Sequence, residues 1–109
     1  MAIISVLYHA KAGSSFDMDY YLQKHLPLVQ RSWEAAGLRG YQVLKGVAML
    51  GGGEPAFQVV TQLDFTSIAA FEAAVAQSGE TVMGDVVNFT DLQPVIQLSD
   101  VVGASVGNG

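Results

Sequence analysis

The sequence predicts an α+β domain laid out in the order βαββαβ, with a four-stranded antiparallel sheet and two helices on one of its faces. Three observations carry that prediction. Apolar residues alternate in steps of two over short segments at the start, middle and end of the chain; two longer segments between them repeat at helical spacing; and Gly, Pro, Asn and Asp cluster at the junctions. With right-handed crossovers this order leaves neighbouring strands antiparallel and both helices on the same side.

Each element has a local reason. Ala2 to His9 is a β-branched and aromatic run that reads as strand one, and Ala10-Lys11-Ala12-Gly13-Ser14-Ser15 is a small-residue loop. Asp17 is a good N-cap for the first helix, Phe16 is placed to staple onto Tyr21, Asp19 suits the helix dipole, and Gly37 is the expected stop. Leu38 to Ala48 and Phe57 to Phe65 form a hairpin across the glycine-rich loop from Met49 to Ala56. Thr66 or Ser67 caps a second helix running through Gln77 and ending at Gly79; a shorter helical piece, Glu80 to Val87, precedes the last strand, Leu92 to Val101. Residues 1–102 are thus expected to form the domain, and 103–109 a frayed glycine-rich tail.

The two sheet faces differ. Phe57, Val59, Thr61, Leu63 and Phe65 share the side expected to meet the helices, whereas Gln58, Val60, Gln62 and Asp64 share the other. If register follows alternation, Gln42, Leu44, Gln93, Val95 and Gln97 join this second face, a mixed surface too apolar for open water and suited to a second sheet. A homodimer is expected.

Composition narrows the function. The chain has 109 residues, half of them apolar and 14% charged, which suits one core and a sticky surface. With no cysteine, disulfides, thiolate nucleophiles, zinc ribbons and cysteine-ligated clusters are excluded. No apolar run reaches the roughly 20 residues of a bilayer span, and the start lacks the basic segment of a signal peptide, so a cytoplasmic protein without a membrane partner is expected. The net charge is −5, and all five basic residues (Lys11, Lys24, Arg31, Arg39, Lys45) precede position 46, which argues against a nucleic-acid partner. Gly51-Gly52-Gly53 leads into a strand without the features of a phosphate cradle, and no Gly-x-Ser-x-Gly elbow exists.

The informative segment is the first helix. At about 100° per residue, Met18, Tyr21, Leu22, His25, Leu28, Val29, Ser32 and Trp33 gather on one side. An imidazole among them is either a satisfied core group or looks into a cavity, because burying it unpaired costs about 1–3 kcal/mol. Pro27 withholds the amide that would bond the Gln23 carbonyl and crowds it, which either bends the helix to widen a cleft beside His25 or merely curves its outer side. Tyr8 and Tyr21 are the preferred pocket hydroxyls, with Leu28, Val29 and Trp33 as apolar lining, for a small, largely apolar, oxygenated organic molecule. Asn88-Phe89-Thr90-Asp91 reads as a tight side-chain-bonded turn, from which Asp91 is also a candidate to reach His25 as its acid–base partner. Two alternatives for His25 are a two-histidine, one-carboxylate metal site with His9, and haem ligation; the leading expectation has neither metal nor cofactor.

The run Phe16-Asp17-Met18-Asp19-Tyr20-Tyr21-Leu22-Gln23-Lys24-His25-Leu26-Pro27-Leu28-Val29, with Asn88 to Gln97 later, resembles the EthD-like family, small proteins named for a role in degrading ethyl tert-butyl ether. The resemblance covers nearly the whole chain. It implies a ferredoxin-like fold that dimerises into an α+β barrel, and it makes the histidine of the His-x-Pro-Leu segment, here His25, a signature residue. The function expected is cofactor-independent proton transfer by His25 and Asp91, and the competing reading is a non-catalytic binding or accessory protein of an oxidative degradation system.

Overall fold

A computed structural model describes residues 1–105. Residues 106–109 of the expected tail lie outside the described residues. The strands are β1 (Ala2–His9), β2 (Leu38–Lys45), β3 (Phe57–Phe65) and β4 (Val95–Asp100), in the sheet order β2-β3-β1-β4 with every pair antiparallel. Both helices pack on one face.

The expected alternation sets the register. Ile4 pairs with Leu63, and Tyr8 with Val59, and all four side chains are buried under the helices. On the other face Gln62 lies between Ser5 and Gln42, and Val60 between Leu7 and Leu44, while Gln97 and Val95 extend the row across β4. That face is half exposed, and among the described residues Asp64 Oδ1 is the side-chain atom buried without a hydrogen bond.

Two strands are shorter than expected. β2 stops at Lys45, and Gly46, which still donates to the Gln58 carbonyl at 2.9 Å, runs so close to β3 that a Cβ there would collide with the Phe57 carbonyl. β4 begins at Val95 and not at Leu92: Pro94 has no amide to give, and the Leu92 amide is already held by Thr90 Oγ1 at 3.1 Å. Gln93 therefore precedes the strand.

The first helix has the expected start. Asp17 Oδ1 accepts from the Tyr20 amide at 3.0 Å, and the Phe16 and Tyr21 rings pack with centroids 5.1 Å apart. Its course has three pieces, Met18–Tyr20, Tyr21–His25 and Leu26–Trp33, and the middle one is a wide π-type turn. There the Leu26 amide bonds back five residues to the Tyr21 carbonyl. This turn answers Pro27, which cannot supply the ordinary four-residue bond to Gln23. The added residue sets back the phase downstream, so Leu26 enters the buried face and Leu28 leaves it, while Tyr21, His25, Val29 and Trp33 are buried as straight helical spacing expects. Leu26 is 1% exposed, Val29 and Trp33 are buried, Leu28 is only half buried, and Leu22 is 46% exposed. Gly37, at φ +127°, closes the turn that follows.

Ser67, not Thr66, caps the second helix, accepting from the Ala70 amide at 3.0 Å. The helix runs Ile68–Gly84, and Ser78 breaks it at φ −144°, ψ 20°. Gly79 is not its end: Gly79 is buried, and a Cβ there would lie 3.0 Å from Val75 Cγ1, so the helix resumes after the break. The expected short piece appears as this continuation plus a single turn, Val86–Asn88.

Candidate active site

The segment after the second helix is stitched to the start of the first. Phe89 O accepts from the Asp17 amide at 2.7 Å, Thr90 Oγ1 donates to Ser15 O at 2.6 Å, and Phe16 and Thr90 form an isolated antiparallel bridge. Asp91 belongs to this clasp. Its Oδ1 accepts from the Ser15 amide at 3.0 Å on the exposed side, so it does not reach His25. The turn reading of Asn88-Phe89-Thr90-Asp91 describes the segment, and the expected His25–Asp91 pair is replaced by another.

That other carboxylate is Asp85, just past Gly84. The clasp brings it over the π-type turn, where Asp85 Oδ2 sits 2.9 Å from His25 Nδ1. Its second oxygen, Oδ1, accepts from the Tyr20 hydroxyl at 2.7 Å and from Asn88 Nδ2 at 2.9 Å. Every oxygen of Asp85 is thus held, and the carboxylate is fixed against the imidazole. Asp85 lies inside the segment expected to be helical, Glu80 to Val87, and its one sequence signal is an acid following Val82-Met83-Gly84 near the end of that stretch.

His25 is 5% exposed. The Tyr21 ring stacks beside it at 5.4 Å and 16°, and the Phe89 ring packs on it at 4.6 Å. Burial lowers the imidazole pKa from its ordinary 6.5, and this outweighs the hydrogen bond and charge of Asp85, which raise it. For Asp85, burial pushes upward, but the hydrogen bonds from Tyr20, Asn88 and His25 prevail and hold the carboxyl below its ordinary range. A neutral imidazole beside an ionised carboxylate donates through Nδ1–H and leaves Nε2 as a bare base. Among the described residues Nε2 has no hydrogen-bond partner.

His25 borders an apolar cleft between the helices and the sheet, a cavity of about 30 Å³. Tyr8, Tyr21, Val29 and Trp33 line it as expected, and Leu28, turned aside by the phase shift, does not. Sequence reasoning missed Leu26, Thr61, Val82 and Val86 of its wall, and Phe89 over the imidazole. Trp33 Nε1 donates to Ser78 Oγ at 2.9 Å, tying the cleft's inner end to the break in the second helix. Among the described residues no group of three His, Cys, Asp or Glu side chains comes together to hold a metal ion, and no helix is long and apolar enough to cross a membrane.

The sheet order and the two helices on one face define a ferredoxin-like α+β protein, with a buried imidazole–carboxylate pair at its helices. A family model described as the EthD domain matches residues 13–93, and the chain belongs to the EthD family. An EthD-like protein from Ralstonia eutropha JMP134 is similar at 33% identity with a TM-score of 0.88, covering 95% of this chain and 94% of its own. An ethyl tert-butyl ether (EthD) family protein from Bacillus halodurans C-125 aligns at 18% identity and a TM-score of 0.65, covering 94% of this chain and 99% of its own. A dimeric ferredoxin-like protein from an uncultured marine organism aligns at 12% identity and a TM-score of 0.55, covering 98% of this chain and all of its own. At these two lower identities the likeness shows the fold alone. No curated protein matches the chain.

Proposed function

We propose that this EthD-family protein binds a small, largely apolar, oxygenated organic molecule in the cleft and moves a proton on it with His25, without a cofactor. The observation that carries the reading is the 2.9 Å contact between His25 Nδ1 and Asp85 Oδ2, which fixes the tautomer and leaves Nε2 as base. Asp85 is a positioning residue that also stabilises the imidazolium formed. Because burial lowers the His25 pKa, the base is in its working form at neutral pH, and activity falls as pH drops through that lowered value.

The protomer would act as a homodimer in the cytoplasm, its half-exposed sheet face covered by a second copy. The apolar side chains of Leu44 and Val95 on that face support this, as does the marine relative described as dimeric. A monomer by sedimentation at micromolar concentration would count against it.

The test follows the His25 imidazole by NMR through a pH titration, alone and with small ether and aromatic compounds, using His25→Gln to assign the signal. A signal that titrates below the ordinary value and shifts with compounds is expected. One that neither titrates nor shifts defines a sealed core histidine and ends the proposal. A second reading, a binding or accessory protein of an oxidative degradation system, is favoured by the closeness of the cleft. In that case a ligand raises the melting temperature without being converted, and His25→Ala leaves every pathway activity unchanged.

A further inference from the structure

Three hydroxyls meet at the floor of the cleft, and their hydrogens are not all used. Tyr8, Tyr21 and Thr61 are 1%, 2% and 1% exposed, so water from outside does not serve them. The Tyr21 hydroxyl and Thr61 Oγ1 lie 2.5 Å apart and share one hydrogen bond. That bond consumes one of the three hydroxyl hydrogens, and the Tyr8 hydroxyl bonds to Tyr21 with a second, which leaves one hydrogen of the trio without an acceptor among the described residues. Buried donors are normally paired. The spare one stands where the cavity of about 30 Å³ lies, room for about one water-sized atom group.

The rest of the lining is apolar. Apart from His25 it carries no ionisable group except the two tyrosines, whose burial keeps them protonated: Tyr21 is pushed up to about 12, and Tyr8 higher still. A carboxylate or phosphate would find no lysine or arginine to meet it. An uncharged oxygen would find a spare hydroxyl hydrogen on one side and a base beside it.

We propose that Tyr21, Thr61 and Tyr8 form a slot for one uncharged oxygen, and that the molecule handled here is an enolisable ketone whose carbonyl oxygen occupies that slot while its α carbon faces His25 Nε2. The inference rests on His25 being the base. In the step, the α C–H bond breaks, its proton passes to Nε2, and its electron pair becomes the C=C bond of an enolate. The negative charge settles on the oxygen held by the slot, and the imidazolium is balanced by Asp85. Return of the proton to the same or another carbon completes an exchange or isomerisation, with no oxidant, reductant or co-reactant. Hydrogen bonds from the slot strengthen as the oxygen gains charge, which is where a donor accelerates reaction most. The ketone enters past Met83 and Ile96, which are 42% and 38% exposed at the outer wall.

The test uses 2-tetralone and its oxygen-free counterpart tetralin. In deuterated buffer the wild-type protein should speed deuterium incorporation beside the carbonyl of 2-tetralone, and His25→Ala should abolish that. Tyr21→Phe should slow it by on the order of 100-fold and Thr61→Val by about 10-fold. Because either variant can be too weakly folded to judge by rate, melting temperature gives a second measure. The ketone should stabilise the wild type more than tetralin does, and the difference should vanish in whichever variant folds. Exchange lost in His25→Ala but unchanged in Tyr21→Phe and Thr61→Val overturns the slot and leaves the base standing. Wild-type protein that neither speeds exchange nor prefers ketone to hydrocarbon overturns the ketone assignment, whereas the imidazole titration judges His25 separately.

Discussion

Phe89→Ala tests in one substitution how the fold makes its base. Phe89 is 3% exposed and packs on His25 at 4.6 Å, Tyr21 at 4.9 Å, Phe16 at 5.3 Å, Tyr8 at 6.0 Å and Tyr20 at 6.3 Å. Truncating a phenylalanine so enclosed costs about 3–5 kcal/mol, the lost transfer energy plus the hole left behind. A domain of this length holds about 5–15 kcal/mol in total, so about a fifth or more of the stability rests on this ring. The same ring keeps water from the imidazole, and removing it should raise the His25 pKa from its lowered value toward 6.5.

The pH dependence follows. His25 binds its proton more weakly folded than unfolded, so stability is full above 6.5 and is lost as pH falls from there through the lowered folded value. In Phe89→Ala that acid loss should shrink. Urea denaturation at a series of pH values measures both effects, and NMR titration reads the imidazole directly. Phe89→Leu, which keeps most of the apolar volume, should show the same signs with smaller amplitude. A stability loss under about 1 kcal/mol, or a His25 pKa that stays or falls in the alanine variant, would refute the reasoning.

Two further outcomes are expected. Asp85→Asn should move the His25 titration to lower pH, because the neighbouring negative charge is gone, whereas Asp91→Asn should leave it in place; NMR titration of the two variants decides which carboxylate serves the imidazole. Leu26→Ala should cost about 2–5 kcal/mol and Leu22→Ala under about 1 kcal/mol by urea denaturation, and equal costs would contradict the phase shift set by the π-type turn.

Much of the fold was legible in the sequence because it rests on short-range rules. Alternation placed Val59, Thr61, Leu63 and Phe65 under the helices, and local capping chemistry put the first helix start at Asp17. The errors also have local causes. Straight helical spacing put Leu22 and Leu28 on the buried side because it contains no wide turn, and Pro27 signalled a disturbance without saying which way the chain would yield. Leu92 has the apolar character of a strand residue, but its amide is bonded to Thr90 Oγ1 and is not free for the sheet.

The sequence by itself determined the α+β order, the face of β3 that meets the helices, and the presence of one imidazole in an apolar helical setting. The tertiary structure decided the partner. Asp85 and Asp91 are both acids between the second helix and the last strand, and nothing in their order separates them; the clasp of Asp17 on Phe89 and of Ser15 on Asp91 turns one outward and sets the other 2.9 Å from His25. A pair spanning 60 residues is fixed by the closing of the chain on itself, which alternation, capping and helical period do not encode.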